Sequence, residues 1–130
     1  MPATGRDHQR LLGVHPILVG KILAILEALP MFVVVGLRTA TQQAQLYAEG
    51  RTTPGPIVTN DDGTMHRSNH EAHSDGWGHA VDCAWVPTLE LPSPFDQRFP
   101  WGQYGALVEA AGLTWGGTWR MVDMPHAELA

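Results

Sequence analysis

Gly78-His79-Ala80-Val81-Asp82-Cys83-Ala84-Trp85 is a short run in which small and apolar residues surround a single carboxylate. A β-strand sends successive side chains to opposite faces. Gly78, Ala80, Asp82 and Ala84 therefore share one face, and His79, Val81 and Cys83 share the other. Small neighbours leave room beside Asp82 for an ion and a substrate, whereas His79 and Cys83 point away from it.

Upstream, residues 51–77 carry Pro54, Pro56 and Asn60-Asp61-Asp62-Gly63. They predict a long loop with a hairpin tip at Asp62-Gly63, and a loop of that length in a compact domain usually serves a site. Further back, Pro16 opens a helix whose Leu18, Ile22, Ile25, Leu26 and Leu29 recur at helical spacing and which ends at Pro30. Met31 to Leu37 is β-branched and lacks helical period, so a strand is expected there. Thr39 with Gln42 forms a capping-box pattern that opens a helix through Tyr47, with Gly50 as its stop. Arg38 thus lies at a strand-to-helix junction. Downstream, Trp101 to Ala111 reads as a helix stopped by Gly112, and Leu113 to Leu129 as two short strands around Gly116-Gly117. Mixed helix and strand without regular βαβ alternation predicts an α+β fold, a small, mainly antiparallel sheet flanked by helices in a single domain over 1–130.

The chain has 130 residues, a net charge of -5 and only 8 Lys+Arg with no basic run, which argues against a nucleic-acid partner. Cys83 is the only cysteine, so an internal disulfide and a Cys-rich zinc site are excluded. Ile17 to Val35 has the length of a membrane span, but Lys21, Glu27 and Pro30 interrupt it, and a buried helix followed by a strand is the better reading. Met1 to Arg10 lacks the apolar segment of a secretory signal. A cytoplasmic, monomeric protein is expected.

At the far end, His126 and Glu128 share a strand face and Asp123 stands at its approach. Two imidazoles and Asp82 would leave the fourth position of Zn²⁺ open, which distinguishes catalytic zinc from a closed structural site. A further carboxylate near the ion can take a proton from water, so zinc-dependent hydrolysis is the expected chemistry. His66, His70, His73 and His79 crowd into one loop, and spacing alone chooses none of them.

Several motifs then occur in one order: Gly36-Leu37-Arg38-Thr39 with Gln43, Leu46-Tyr47 and Gly50-Arg51-Thr52, next Ser68-Asn69-His70, then Gly78 to Asp82, then Asp123-Met124-Pro125-His126. Together they resemble the zinc peptidases of bacterial cell walls, which include D-alanyl-D-alanine carboxypeptidases and dipeptidases and the phage L-alanyl-D-glutamate peptidases. The likeness covers residues 31–129, leaving 1–30 as an N-terminal extension and helix. It implies that His70, Asp82 and His126 bind Zn²⁺, that Asp123 is the general base, and that Arg38 steadies the substrate carbonyl. In the family the first His stands seven residues before the Asp, a position held here by Asp75, while His70 stands twelve before it. An insertion of about five residues accounts for this if Ser68-Asn69-His70 keeps the family's Ser-x-His, with His73 as the rival ligand.

The implied substrate is the peptidoglycan stem peptide. Gln43 and Arg51 are candidate substrate contacts, although Gln43 and Tyr47 also suit packing and capping on their helix. The expected role is a phage endolysin that is made in a host cytoplasm, acts on the wall after release and cuts between L-Ala and D-Glu. D,D-carboxypeptidase activity and a non-catalytic zinc-containing binding module are the alternatives.

Overall fold

A computed structural model describes residues 2–130. Among them, four strands form one antiparallel sheet: β1 (Met31–Val35), β2 (Ala80–Trp85), β3 (Leu113–Trp115) and β4 (His126–Leu129), in the order β1-β2-β4-β3. Helices α1 (Gly5–Arg10), α2 (Pro16–Ala28), α3 (Ala40–Ala48) and α4 (Trp101–Ala110) complete the α+β arrangement. No helix among the described residues is long and apolar enough to cross a membrane.

The alternation along β2 assigns its two faces. Val81, Cys83 and Trp85 enter the apolar core with Val33 of β1 and Ala127 of β4, against Leu18, Ile22 and Leu26 of α2 and Tyr104 and Val108 of α4. Asp82 projects from the opposite face. Helix α2 begins where Pro16 occupies its first turn and ends just before Pro30, and its buried side chains are Leu18, Ile22, Ile25 and Leu26. The capping box at α3 forms, with Thr39 accepting from the Gln42 N–H and the Gln42 side chain accepting from the Thr39 N–H.

Helix α1 has a capping-box signal of its own, Thr4 with Asp7, and its job lies in the sheet. Asp7 is only 2% exposed. One of its carboxylate oxygens accepts from the Val33 N–H at 2.8 Å, while Arg10 donates to the Val33 carbonyl at 2.8 Å. On its other side β1 pairs with β2, so these two side chains occupy the edge that β1 would otherwise leave open for strand pairing. β1 stops at Val35, short of Leu37, because the chain then passes so close to α1 that a Cβ on Gly36 would lie 2.5 Å from the Arg10 carbonyl oxygen.

The expected hairpin at Asp62-Gly63 is absent. Asp62 instead accepts from the Thr64 and His66 N–H groups, with Gly63 at φ +91°. An Asp-Gly pair makes a hairpin only between flanking strands, and no strand forms between residues 49 and 79.

Removing the Asp7 carboxylate leaves the buried Val33 N–H without its acceptor, an omission that costs about 1–3 kcal/mol. Asp7→Ala should therefore lower the unfolding free energy by that amount, seen as a lower urea midpoint with little change in denaturant slope. A midpoint equal to wild type would show that water replaces the carboxylate.

Candidate active site

The sheet register builds most of the site. Asp82 on β2 lies opposite His126 on β4 and opposite Val35 at the end of β1, beside a register shift between Val33 and Val35. His70 comes from the long loop and is fastened twice to the segment after β1: its Nδ1 bonds to the Gly36 carbonyl at 2.9 Å, and its own carbonyl accepts from the Arg38 N–H at 2.8 Å. Asp82 Oδ1 stands 3.3 Å from His70 Nε2 and 3.3 Å from His126 Nδ1.

These three atoms have the chemistry of a divalent metal site. One atom from each of His70, Asp82 and His126 lies within 4.8 Å of the others. His70 Nε2 and Asp82 Oδ1 are buried and lack a properly aligned hydrogen bond despite their proximity, so they face a common point more than each other. Each imidazole is also committed on its far side, His70 through Nδ1 to Gly36 and His126 through Nε2 to Glu128 Oε1 at 2.7 Å. Such outer partners fix which ring nitrogen is left to hold a metal.

Asp123 sits on the approach to β4, with Oδ2 3.6 Å from His126 Nδ1 and its side chain partly exposed to the cleft. Gly116 makes this possible. The Asp123 N–H bonds to the Gly116 carbonyl at 2.9 Å, and a Cβ on Gly116 would lie 2.5 Å from the Asp123 carbonyl oxygen and 3.0 Å from His126 Cβ. Arg38 completes the group, with Nη2 3.8 Å from Asp82 Oδ2 and Nη1 donating to Gln43 Oε1 at 2.8 Å. All five residues line a cleft of about 620 Å³, whose walls also include Arg67, Asp61, Trp119 and the exposed apolar pair Met121 and Val122.

Gln43 and Arg51 stand behind that wall. Gln43 is fully buried, with its amide group donating to the Asp61 carbonyl and Thr59 hydroxyl while its oxygen holds Arg38. Arg51 lies over the Tyr47 ring and donates to the Tyr47 and Thr59 carbonyls and the Asn60 side chain, tying the loop to α3. His73 is outside the cluster as well. Its ring stacks on His79 at 3.7 Å, and Asp75 bonds to His79 at 2.7 Å. The links from Gln43 to Arg38 and from Glu128 to His126 had no signal in the sequence beyond the shared strand face of His126 and Glu128.

Electrostatics follow from this crowding. Burial pushes the Asp82 carboxyl up, but the His126 and His70 imidazoles 3.3 Å away outweigh it and hold the group well below the usual carboxylate range. Burial would lower His126, yet Asp82 and Glu128 raise it to about 9. Asp123 is shifted upward, first by burial and then by the charge of Asp82.

A family model described as D-alanyl-D-alanine carboxypeptidase matches residues 62–129. The chain belongs to this family of M15 peptidases. Over 110 residues it is 27% identical to the peptidoglycan L-alanyl-D-glutamate endopeptidase CwlK of Bacillus subtilis (strain 168), covering 84% of this chain and 66%, just under two thirds, of that protein. Its fold is similar to the crystal structure of the Serratia marcescens L-Ala D-Glu endopeptidase ChiX. That likeness has a TM-score of 0.72 and 27% identity and covers 100% of this chain and 90% of the other.

The raised His126 pKa has a stability consequence. A histidine whose folded pKa exceeds its unfolded value of 6.5 contributes stability in full below 6.5 and loses it as pH rises through about 9. In the presence of a chelator, the Tm should therefore fall by several degrees between these pH values, and the fall should be absent in His126→Gln. Calorimetric scans across the range check this, and a flat wild-type profile would contradict it.

Proposed function

We propose that this protein is a zinc-dependent endopeptidase that hydrolyses peptidoglycan stem peptides at the L-alanyl-D-glutamate bond. The observation that carries the reading is the two-His, one-Asp cluster with a fourth polar group, Asp123, beside it and open to the cleft. The likeness to two endopeptidases of that specificity supports the choice of bond. His70, Asp82 and His126 are the proposed ligands. A bound zinc ion would supply Lewis acidity and bring the pKa of water down to about 7.

The remaining chemistry belongs to the chain. Asp123, 3.6 Å from His126 Nδ1 and open to the cleft, takes the proton of the attacking water as the carbon–oxygen bond forms. It can pass that proton to the departing amine as the carbon–nitrogen bond breaks. Arg38, fixed by Gln43 and Asp82, presents positive charge to the carbonyl oxygen as it becomes negative. The stem peptide is anionic at D-Glu, and Arg38 and Arg67 are the cations of the cleft wall that could attract it. A non-catalytic binding module would have no use for a base at Asp123.

A lytic role extends the same proposal: a protein made in a host cytoplasm that reaches the wall after release as a phage endolysin. Cutting between L-Ala and D-Glu frees the whole stem together with its cross-links, so the mesh loses strength at every cut. Expression alongside a membrane pore-former should lyse cells, and expression alone should not.

Purified peptidoglycan treated with the protein should gain free D-Glu amino groups, identified by mass spectrometry of the new termini. Release of D-Ala alone would make the enzyme a carboxypeptidase. Chelation should stop the reaction, and His70→Ala should lose stoichiometric zinc. Asp123→Asn should fold, keep its zinc and lose about 10² to 10⁴ in turnover, the usual worth of a general base. Near wild-type turnover would remove Asp123 from the mechanism.

A further inference from the structure

Glu128 lies two residues beyond His126 on the same face of β4, and its side chain is bound at both oxygens. Oε1 meets His126 Nε2 at 2.7 Å, and Oε2 accepts from the Asn69 amide at 2.6 Å. Asn69 is itself anchored, since its carbonyl accepts from the His79 N–H at 2.8 Å, and it immediately precedes His70. The line Asn69–Glu128–His126 therefore joins the loop that carries one proposed ligand to the strand that carries another. An ionised carboxylate is an acceptor only, so Asn69 must present its NH₂ and His126 its Nε2–H. In the neutral ring that a metal requires, the Nδ1 lone pair of His126 is then directed toward Asp82 and His70.

From this geometry we infer that Glu128, clamped by Asn69, is a positioning residue for metal binding, holding the His126 ring in the orientation and tautomer whose Nδ1 faces the other two ligands. The inference rests on the zinc reading above but not on the identity of the scissile bond. Outer-shell partners of this kind are worth about 10- to 100-fold in metal affinity.

The test is zinc affinity, measured on the full chain by competition with a fluorescent chelator, with ¹⁵N spectra of the imidazoles in the zinc-loaded protein as a second readout. Glu128→Ala should weaken zinc by about 10- to 100-fold and change or broaden the His126 ¹⁵N signals. Glu128→Gln retains an acceptor oxygen and should recover most of that loss. Asn69→Ala, which frees the clamp without touching the acceptor, should show a smaller loss and keeps the test open if Glu128→Ala does not fold. Zinc affinity within twofold of wild type in the variants that fold would overturn the role. A raised KM for stem peptide at unchanged zinc affinity would likewise overturn it, making Glu128 a substrate contact. A wild-type chain that takes up no zinc would instead defeat the metal reading itself, and this inference with it.

Discussion

A carboxylate on the second strand of the sheet, only 17% exposed, is the constraint around which the site is arranged. Burying an ion costs several kcal/mol unless it is paired and bonded. Asp82 answers that demand with two imidazoles at 3.3 Å and a guanidinium at 3.8 Å, each drawn from a different part of the chain. His126 arrives through strand register, His70 through two bonds to the segment after β1, and Arg38 through the buried amide of Gln43. The same Asp82 charge helps raise the pKa of Asp123, so one buried ion sets the protonation of its neighbours as well as their positions.

Periodic segments were legible in the sequence because they obey one-dimensional rules. The period-two alternation from Gly78 to Ala84 separated a core face from a chemical face, and Thr39 with Gln42 marked the start of α3. Asp82, His126 and Asp123 were legible through their strand positions and order, whereas His70 could be chosen only by likeness to known motifs. Helix α1 was missed because it is too short to show a period, although Thr4 with Asp7 is a capping box like the one at α3. The interval from 49 to 79 has no repeat at all, and its fold is set by single side-chain bonds such as Asp62 to His66 and Arg51 to Thr59. Gln43 was a candidate substrate contact that also suited packing and capping on its helix. Full burial turned it toward Arg38 and the loop, a tertiary effect that helical spacing does not encode.

The segment between His70 and Asp82 is closed at its base. Ala72 bridges to Gly78, the His73 N–H bonds to the Trp77 carbonyl at 2.9 Å, and Gly78 is gripped by Gly13 and His15 of the N-terminal segment. A loop of this size can be inserted at small entropic cost when its ends already meet. His73, the rival imidazole, is spent on that closure by stacking against His79.

The strand order β1-β2-β4-β3 has a consequence for how the molecule is made. β4, which carries His126 and Glu128, lies between β2 and β3 although it is last in sequence. Until residues 126–129 leave the ribosome, β2 and β3 cannot be joined, and His70 and Asp82 are two of the proposed ligands without the third. During synthesis the nascent chain thus presents at most two members of the His70, Asp82 and His126 cluster, and the cluster is completed only as the sheet closes.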